Sequence, residues 1–229
     1  MTGSLPRTIV RIREMILSGQ FAPAQRVAER RLAAFLGVSR TPIRQALPVL
    51  AQEGLLERHE KRGYVVRAFT DADFADAVEV HCLIEGLAAR RAAEHLVSKS
   101  FLRKLRSCLT EADLILNRGH LGPLDIENYH RINGRFHALI DAQAGSTVFH
   151  NALRRSLRTL SLRVSRHPAA AQTPVQVLAM LRNAHEQHRE IVAAFAGGDS
   201  GRVETLMWEH AHSIVEIVDS PRIQTVEPH

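Results

Sequence analysis

The sequence is poor in the features on which several protein classes depend. Its 229 residues include two cysteines, Cys82 and Cys108, far apart and in no CxxC pattern. Two cysteines are too few for a disulfide framework and their spacing offers no thiolate zinc knuckle, so both thiols read as reduced core residues. No apolar run approaches the ~18 residues of a membrane-spanning helix, and Met1 to Arg13 carries arginines without the apolar stretch of a secretory leader. The expectation is a cytoplasmic protein with no membrane partner. With 45% hydrophobic and 24% charged residues, the chain is neither disordered nor fibrous. His185-Glu186-Gln187-His188 is H-E-x-H, which lacks the i, i+4 spacing that aligns two zinc ligands in H-E-x-x-H.

Acid is scarce at the start of the chain. Residues 1–70 hold 12 Lys and Arg against 5 Asp and Glu, whereas residues 71–229 hold 18 against 19. Concentrated basic charge suits a phosphate backbone, because each neutralised phosphate releases counterions and adds sequence-independent affinity. A solvated basic surface would have the same charge. Of the 13 histidines only His59 precedes residue 71, so the two parts are built for different chemistry.

Ile9, Ile12 and Ile16 recur with helical spacing from Arg7 to Ser18, and Gly19 follows as a stop. Glu29–Leu36 predicts a short second helix with Leu32, Phe35 and Leu36 on its apolar face, closed by Gly37. Ser39 reads as an N-cap and Pro42 sits in the first turn, where no intrahelical donor is required. Ile43, Ala46, Leu47 and Leu50 then mark a third helix. Leu55–Arg58 and Tyr64–Arg67 flank a polar turn and predict a β-hairpin. Three helices and a hairpin make a winged helix-turn-helix, whose third helix enters the DNA major groove N-terminus first. Arg40 and Arg44 lie opposite Ile43 and Leu47, and the guanidinium fork can grip guanine or phosphate in bidentate fashion.

This segment, through Ala28-Glu29-Arg30-Arg31-Leu32-Ala33, Leu36-Gly37-Val38-Ser39-Arg40-Thr41-Pro42-Ile43-Arg44-Gln45-Ala46-Leu47 and Glu53-Gly54-Leu55-Leu56, resembles the DNA-binding domain of GntR-family bacterial transcription regulators. The resemblance covers roughly residues 7–68. It implies contact with double-stranded operator DNA by Arg30, by Ser39, Arg40, Thr41 and Arg44 on the recognition helix, and by Arg62 and Gly63 at the wing tip. Pro48 departs from the pattern and predicts a kink in the third helix.

After a brief linker around Ala68–Asp71, the chain reads as helices over Asp71–Leu96, Ser98–Arg118, Asp125–Ala144, Ser146–Arg166, Pro174–Ala196 and Asp199–Val218. The expected fold is mainly α: residues 1–70 form the winged helix-turn-helix with its small β-hairpin, residues 71–219 an antiparallel all-α helical bundle, and residues 220–229 a frayed tail. Polar groups interrupt three apolar stripes. Ile126, Tyr129, Asn133, His137, Ile140 and Ala144 follow one line; Val177, Leu181, Ala184, His188, Ile191 and Phe195 a second; Val203, Leu206, His210, Ile214 and Ile217 a third. His185 and His212 fall off these lines and are expected to be exposed. A buried imidazole is often a hydrogen-bonded core residue. Three such residues and an Asn on three inward faces also suit a divalent metal such as Zn, Ni, Fe or Cu with open coordination positions.

Asn133-x-x-Phe136-His137, His188-x-x-Ile191-Val192-x-Ala194 through Gly198-Asp199, and Leu206-Met207-x-x-His210 are similar to the FCD effector-binding domain of the FadR subfamily, over about residues 74–218, with the six-helix count of its VanR-like branch. The resemblance implies metal ligands at Asn133, His137, His188 and His210, with Zn or Ni the expected ion. Leu83-Ile84-Glu85-x-x-Ala88-Ala89 also matches, but His81 stands where the family usually has an Arg that helps hold an acidic effector. His81 shares an inward face with Phe74 and Val78 and is a candidate effector contact. The implied function is a nucleoid-associated homodimeric regulator, usually a repressor, not an enzyme, controlled by a small carboxylate metabolite. A metal-dependent hydrolase tethered to DNA and a metal-free dimerisation bundle are the alternatives.

Overall fold

The computed structural model describes residues 4–61, 63–164 and 173–219. The tail expected at 220–229 lies outside the described residues. The described residues group into two compact units, those within 1–77 and 154–168 and those within 78–153 and 169–229.

In the first unit, α1 (Leu5–Leu17) turns Ile12 and Ile16 inward, and α2 (Glu29–Leu36) and α3 (Arg40–Gln52) supply Leu32, Leu36, Ile43, Leu47 and Leu50 to the same core. Gly37, in the left-handed region at φ 66°, ends α2 and lets α3 start within three residues. Phe35 corrects the sequence reading: Ala33 takes the buried place beside Leu32 and Leu36, and Phe35 points outward. On a helix this short, a rotation of one residue decides which of two apolar side chains is covered. Ser39 occupies the N-cap position with extended backbone, although its hydroxyl makes no capping bond. The α3 helix runs on through Pro48 to Gln52, with the ring on the exposed side. Strands β1 (Leu56–His59) and β2 (Gly63–Val66) pair antiparallel, Leu56 opposite Val66 and His59 opposite Gly63. The stretch before α2 lies along β2, with Val27 N–H donating to Tyr64 C=O at 2.9 Å. Arg13 donates through Nε and Nη2 to both Glu53 oxygens, at 2.8 and 2.6 Å, tying α1 to the end of α3.

Six further helices follow: α4 (Asp71–Glu94), α5 (Lys99–Leu116), α6 (Pro123–Ala144), α7 (Thr147–Val164), α8 (Pro174–Gly197) and α9 (Ser200–Asp219). Their starts are written locally. Thr70 and Asp73 cap α4 reciprocally, the Asp73 carboxylate accepting from Thr70 N–H at 2.8 Å and the Thr70 hydroxyl from Asp73 N–H at 3.1 Å. Thr173 and Gln176 do the same for α8, with Pro174 at the first position. The core of the second unit centres on Leu105, Phe136, Ile191, Phe195 and Val203, with Phe101 edge-on to Phe195 at 5.4 Å. Tyr129 is buried there and its hydroxyl donates to Leu181 C=O at 3.1 Å. Cys82 and Cys108 are free and buried. No described helix is long and apolar enough to cross a membrane.

Candidate nucleic-acid interface and candidate metal centre

In the first unit, α3 presents Arg40, Thr41 and Arg44 to solvent, with Ser39 exposed at its start and Arg30 on α2. Glu29 faces both arginines, its Oε2 lying 3.4 Å from Arg40 Nη2 and 4.0 Å from Arg44 Nε. Such solvent-exposed ion pairs contribute ~0–1 kcal/mol, so they orient the side chains without holding them back from a stronger anion. Arg44, Glu29 and the hairpin residues Arg58, His59, Gly63 and Tyr64 line a cleft of about 640 Å³ between helix and hairpin. Gly63 has φ 72°, a conformation side-chain-bearing residues avoid. Arg62, expected to reach DNA from the same tip, lies outside the described residues.

The second unit gathers the three histidines expected to bind metal. The candidate ligand atoms of His137 on α6, His188 on α8 and His210 on α9 all lie within 4.8 Å of one another. The ring centroids of His188 and His210 are 4.4 Å apart, with His137 5.5 and 5.3 Å from them. Asn133, one turn before His137, is half-buried and lines a small cavity with His188 and Phe136. His81 is buried on α4, and its Nε2 lies 3.6 Å from Glu85 Oε2.

Burial sets the protonation of this cluster. Desolvation, reinforced by the neighbouring imidazoles, drives the His188 pKa well below its ordinary value, and burial followed by His137 brings His210 down to about 3. Both rings are therefore neutral, with lone pairs to offer. The Gln187 amide oxygen accepts from His210 Nδ1 at 2.9 Å and from the Ser213 hydroxyl at 3.2 Å, which places the His210 proton on Nδ1 and the lone pair on Nε2. That Nε2 faces His188 Nε2 at 3.0 Å. Two nitrogens about 2.1 Å from one metal at a right angle would be about 3.0 Å apart, so the donor set and its spacing fit a divalent ion.

Glu85 is the residue that sequence reasoning missed. Its Oε1 lies 2.8 Å from His137 Nδ1, but the approach is too oblique for an aligned hydrogen bond, and Nδ1 is otherwise buried without a partner. Burial works against the Glu85 carboxylate, but the attraction of His137, its contact with that ring, and His81 and His210 together hold the pKa at about 2. The same carboxylate raises His137 against a larger opposing effect of burial. The sequence signal was available in the i, i+4 spacing of His81 and Glu85. One fixed anion therefore stands beside the imidazoles.

His185 also overturns its expectation. It is 3% exposed, with Nε2 2.9 Å from Asp113 Oδ1, an oxygen that Arg189 also reaches. Because α5 packs against α8 on that side, the buried arc of α8 is wider than the single stripe. His212 is half-buried, stacked on Trp208 at 5.0 Å and 9°.

A winged helix-turn-helix with exposed arginines on its reading helix, carried with an all-helical bundle around an imidazole cluster, is the build of a DNA-binding transcription regulator. Residues 7–66 match the family of bacterial regulatory proteins named gntR, and residues 76–213 match the FCD domain. The chain belongs to the GntR family, in the group whose second domain is an FCD domain. It is similar to the "Uncharacterized HTH-type transcriptional regulator YdhC" of Bacillus subtilis, 31% identical over 129 residues, which is 56% of this chain and 55% of that protein. It is also similar to the "Probable D-xylose utilization operon transcriptional repressor" of Paenarthrobacter nicotinovorans, 28% identical over 85% of this chain and 80% of that one. Among solved structures, E. coli McbR/YncC shares the fold, with a TM-score of 0.71 at 19% identity over 95% of this chain and 98% of that one. These relatives and families are regulators rather than enzymes.

Proposed function

We propose that the chain is a cytoplasmic, nucleoid-associated homodimeric repressor whose residues 1–70 read operator DNA and whose residues 71–219 bind a divalent metal and a small carboxylate metabolite. In this reading Arg30, Ser39, Arg40, Thr41, Arg44, Arg62 and Gly63 contact DNA, and Asn133, His137, His188 and His210 hold Zn or Ni. The observation that carries it is the convergence of His137, His188 and His210 from three helices within 4.8 Å, in a bundle of this family. Bound there, the ion supplies positive charge and open positions for a carboxylate. Gln187 keeps the His210 lone pair pointed into the cluster, and Glu85 and Asn133 approach it from α4 and α6.

Glu85 narrows the effector class. One buried anion beside neutral imidazoles leaves a divalent ion with a single uncompensated charge, which favours an effector bearing one carboxylate at the site. His81, whose Nε2 approaches Glu85, is in this reading an effector contact. Among the described residues, the cavities at His137 and at His188 are each about 10 Å³, room for one water, and in this reading the effector opens them by shifting side chains and helices. An effector that binds the opened arrangement better than the closed one thereby shifts the population, which is the requirement for a switch.

Elemental analysis of purified protein tests the site. The wild type should carry about one divalent ion per chain, and the double variant His188→Ala/His210→Ala none, with DNA binding retained. A double variant with undiminished metal would overturn the ligand assignment.

A further inference from the structure

We infer that the cleft between α3 and the hairpin holds one sugar–phosphate strand of the bound duplex, and that Arg58, on the hairpin wall, is the side chain that grips a phosphate there. The inference rests on the DNA-binding reading above and adds a contact outside the set named in it.

Strand alternation sets Arg58 apart from its neighbours. In the antiparallel register Leu56 lies opposite Val66 and Arg58 opposite Tyr64, so Leu56, Arg58 and Tyr64 share one face of the hairpin and Glu57 takes the other. Leu56 is 2% exposed and belongs to the core that α3 helps to build, which makes this the face turned toward α3. The cleft of about 640 Å³ has Arg58 and Tyr64 on its hairpin side and Arg44 and Glu29 on its helical side. Charges on the two faces of the hairpin are partnered differently. On the outer face Glu57 has Arg67 Nε at 3.5 Å and His59 Nε2 at 3.7 Å. Arg58 is exposed, and among the described residues its guanidinium has no hydrogen-bond or ion-pair partner. Of the two acids that line the cleft, Glu29 is already shared by Arg40 and Arg44, and Glu60 is exposed at the hairpin turn.

The dimensions of DNA name the occupant. An α-helix with its side chains is about 10–12 Å across and fills a major groove ~12 Å wide. A hairpin standing beside that helix therefore lies outside the groove, and what separates the two is the single sugar–phosphate strand that borders it. With α3 in the groove, this strand enters the cleft, where the planar guanidinium can meet a phosphate through two parallel N–H donors. Such a contact fixes the register of helix and hairpin on the duplex and carries no sequence information. It leaves base edges to Arg40 and Arg44, whose side chains stand on the helix itself.

Fluorescence anisotropy with the full chain tests the contact on two labelled duplexes, one of mixed sequence and one selected from a random pool by the wild type. Arg58→Gln should weaken both by the same factor, on the order of 10-fold, and lower the slope of log affinity against log salt by about one. Arg58→Lys, which keeps the charge and loses the fork, should recover the slope and part of the affinity. Arg67→Gln removes the same charge from the outer face and should leave affinity and slope unchanged. Arg58 is exposed, so its variants should keep the wild-type circular-dichroism spectrum and thermal midpoint. A wild type that binds neither duplex would overturn the DNA-binding reading and this contact together. Wild-type affinity and slope in Arg58→Gln would overturn the contact alone. So would a loss confined to the selected duplex, which makes Arg58 a base reader, or an equal loss in Arg67→Gln, which makes it one surface charge among many.

Discussion

The two units hold their functional groups in opposite ways. In the first, Arg40 and Arg44, the side chains proposed to read DNA, are exposed, charged and only loosely steadied by Glu29. In the second, His188 and His210 are buried, neutral and pressed Nε2 to Nε2, with a tautomer imposed by Gln187. A polyanion is met at a surface, where a cation must stay hydrated and accessible until the phosphate or base arrives. A metal ion is held by lone pairs, which are available only where water and protons have been displaced. In the proposed reading, this contrast accounts for the separation of basic charge from histidines along the sequence.

The largest way to break this contrast is through the packing that keeps the imidazoles dry. Phe136 is fully buried with its ring 4.2 Å from that of His188, so Phe136→Ala should cost ~3–5 kcal/mol in urea unfolding of the second unit. An effect under 1 kcal/mol would mean that the site is not supported by the core as described.

Next is the anion beside the cluster. Glu85→Gln keeps the shape of the side chain and removes its charge, and should weaken Zn²⁺ or Ni²⁺ binding by ~10–100-fold, read by titration calorimetry. An unchanged affinity would show that Glu85 acts only in packing.

The surface side should respond differently. Arg40→Ala and Arg44→Ala should each weaken binding to a cognate operator by ~1–3 kcal/mol if the contact is to a base edge, with metal content unchanged. Raising the salt should weaken DNA binding steeply, with a slope set by the phosphates neutralised, and leave metal binding nearly unaltered. Equal salt sensitivity of both activities would erase the distinction between the units.

The smallest effect is at the start of α4. Hydrogen bonds from Thr70, the hydroxyl first and then the backbone N–H, lower the pKa of the exposed Asp73 carboxylate. A group lowered on folding contributes stability above its unfolded pKa and loses it as pH falls through the lowered folded value. The wild type should therefore lose slightly more stability than Asp73→Asn between about pH 5 and pH 3, measured by urea midpoints. Parallel pH profiles would remove the cap from the account.

Much of this was legible along the chain because it rests on local periodicity. Helix starts are carried by Thr70 with Asp73 and by Thr173 with Pro174 and Gln176, each settled within four residues by the need to satisfy orphan N–H groups. The stripes that pass through His137, His188 and His210 needed only the helical repeat, as did the placing of Arg40 and Arg44 opposite Ile43 and Leu47. Tertiary structure decided what meets what. His188 and His210 are 22 residues apart, and their 3.0 Å approach depends on how α8 and α9 pack. Glu85 reached His137 because α4 lies against α6, and His185 was buried because Asp113 came from α5 to meet it. Phe35 lost its place to Ala33 through a small rotation of α2. Each of these outcomes depends on packing between elements distant in sequence, and the helical repeat, which records only the faces of one helix, carries no information about which other face will lie against it.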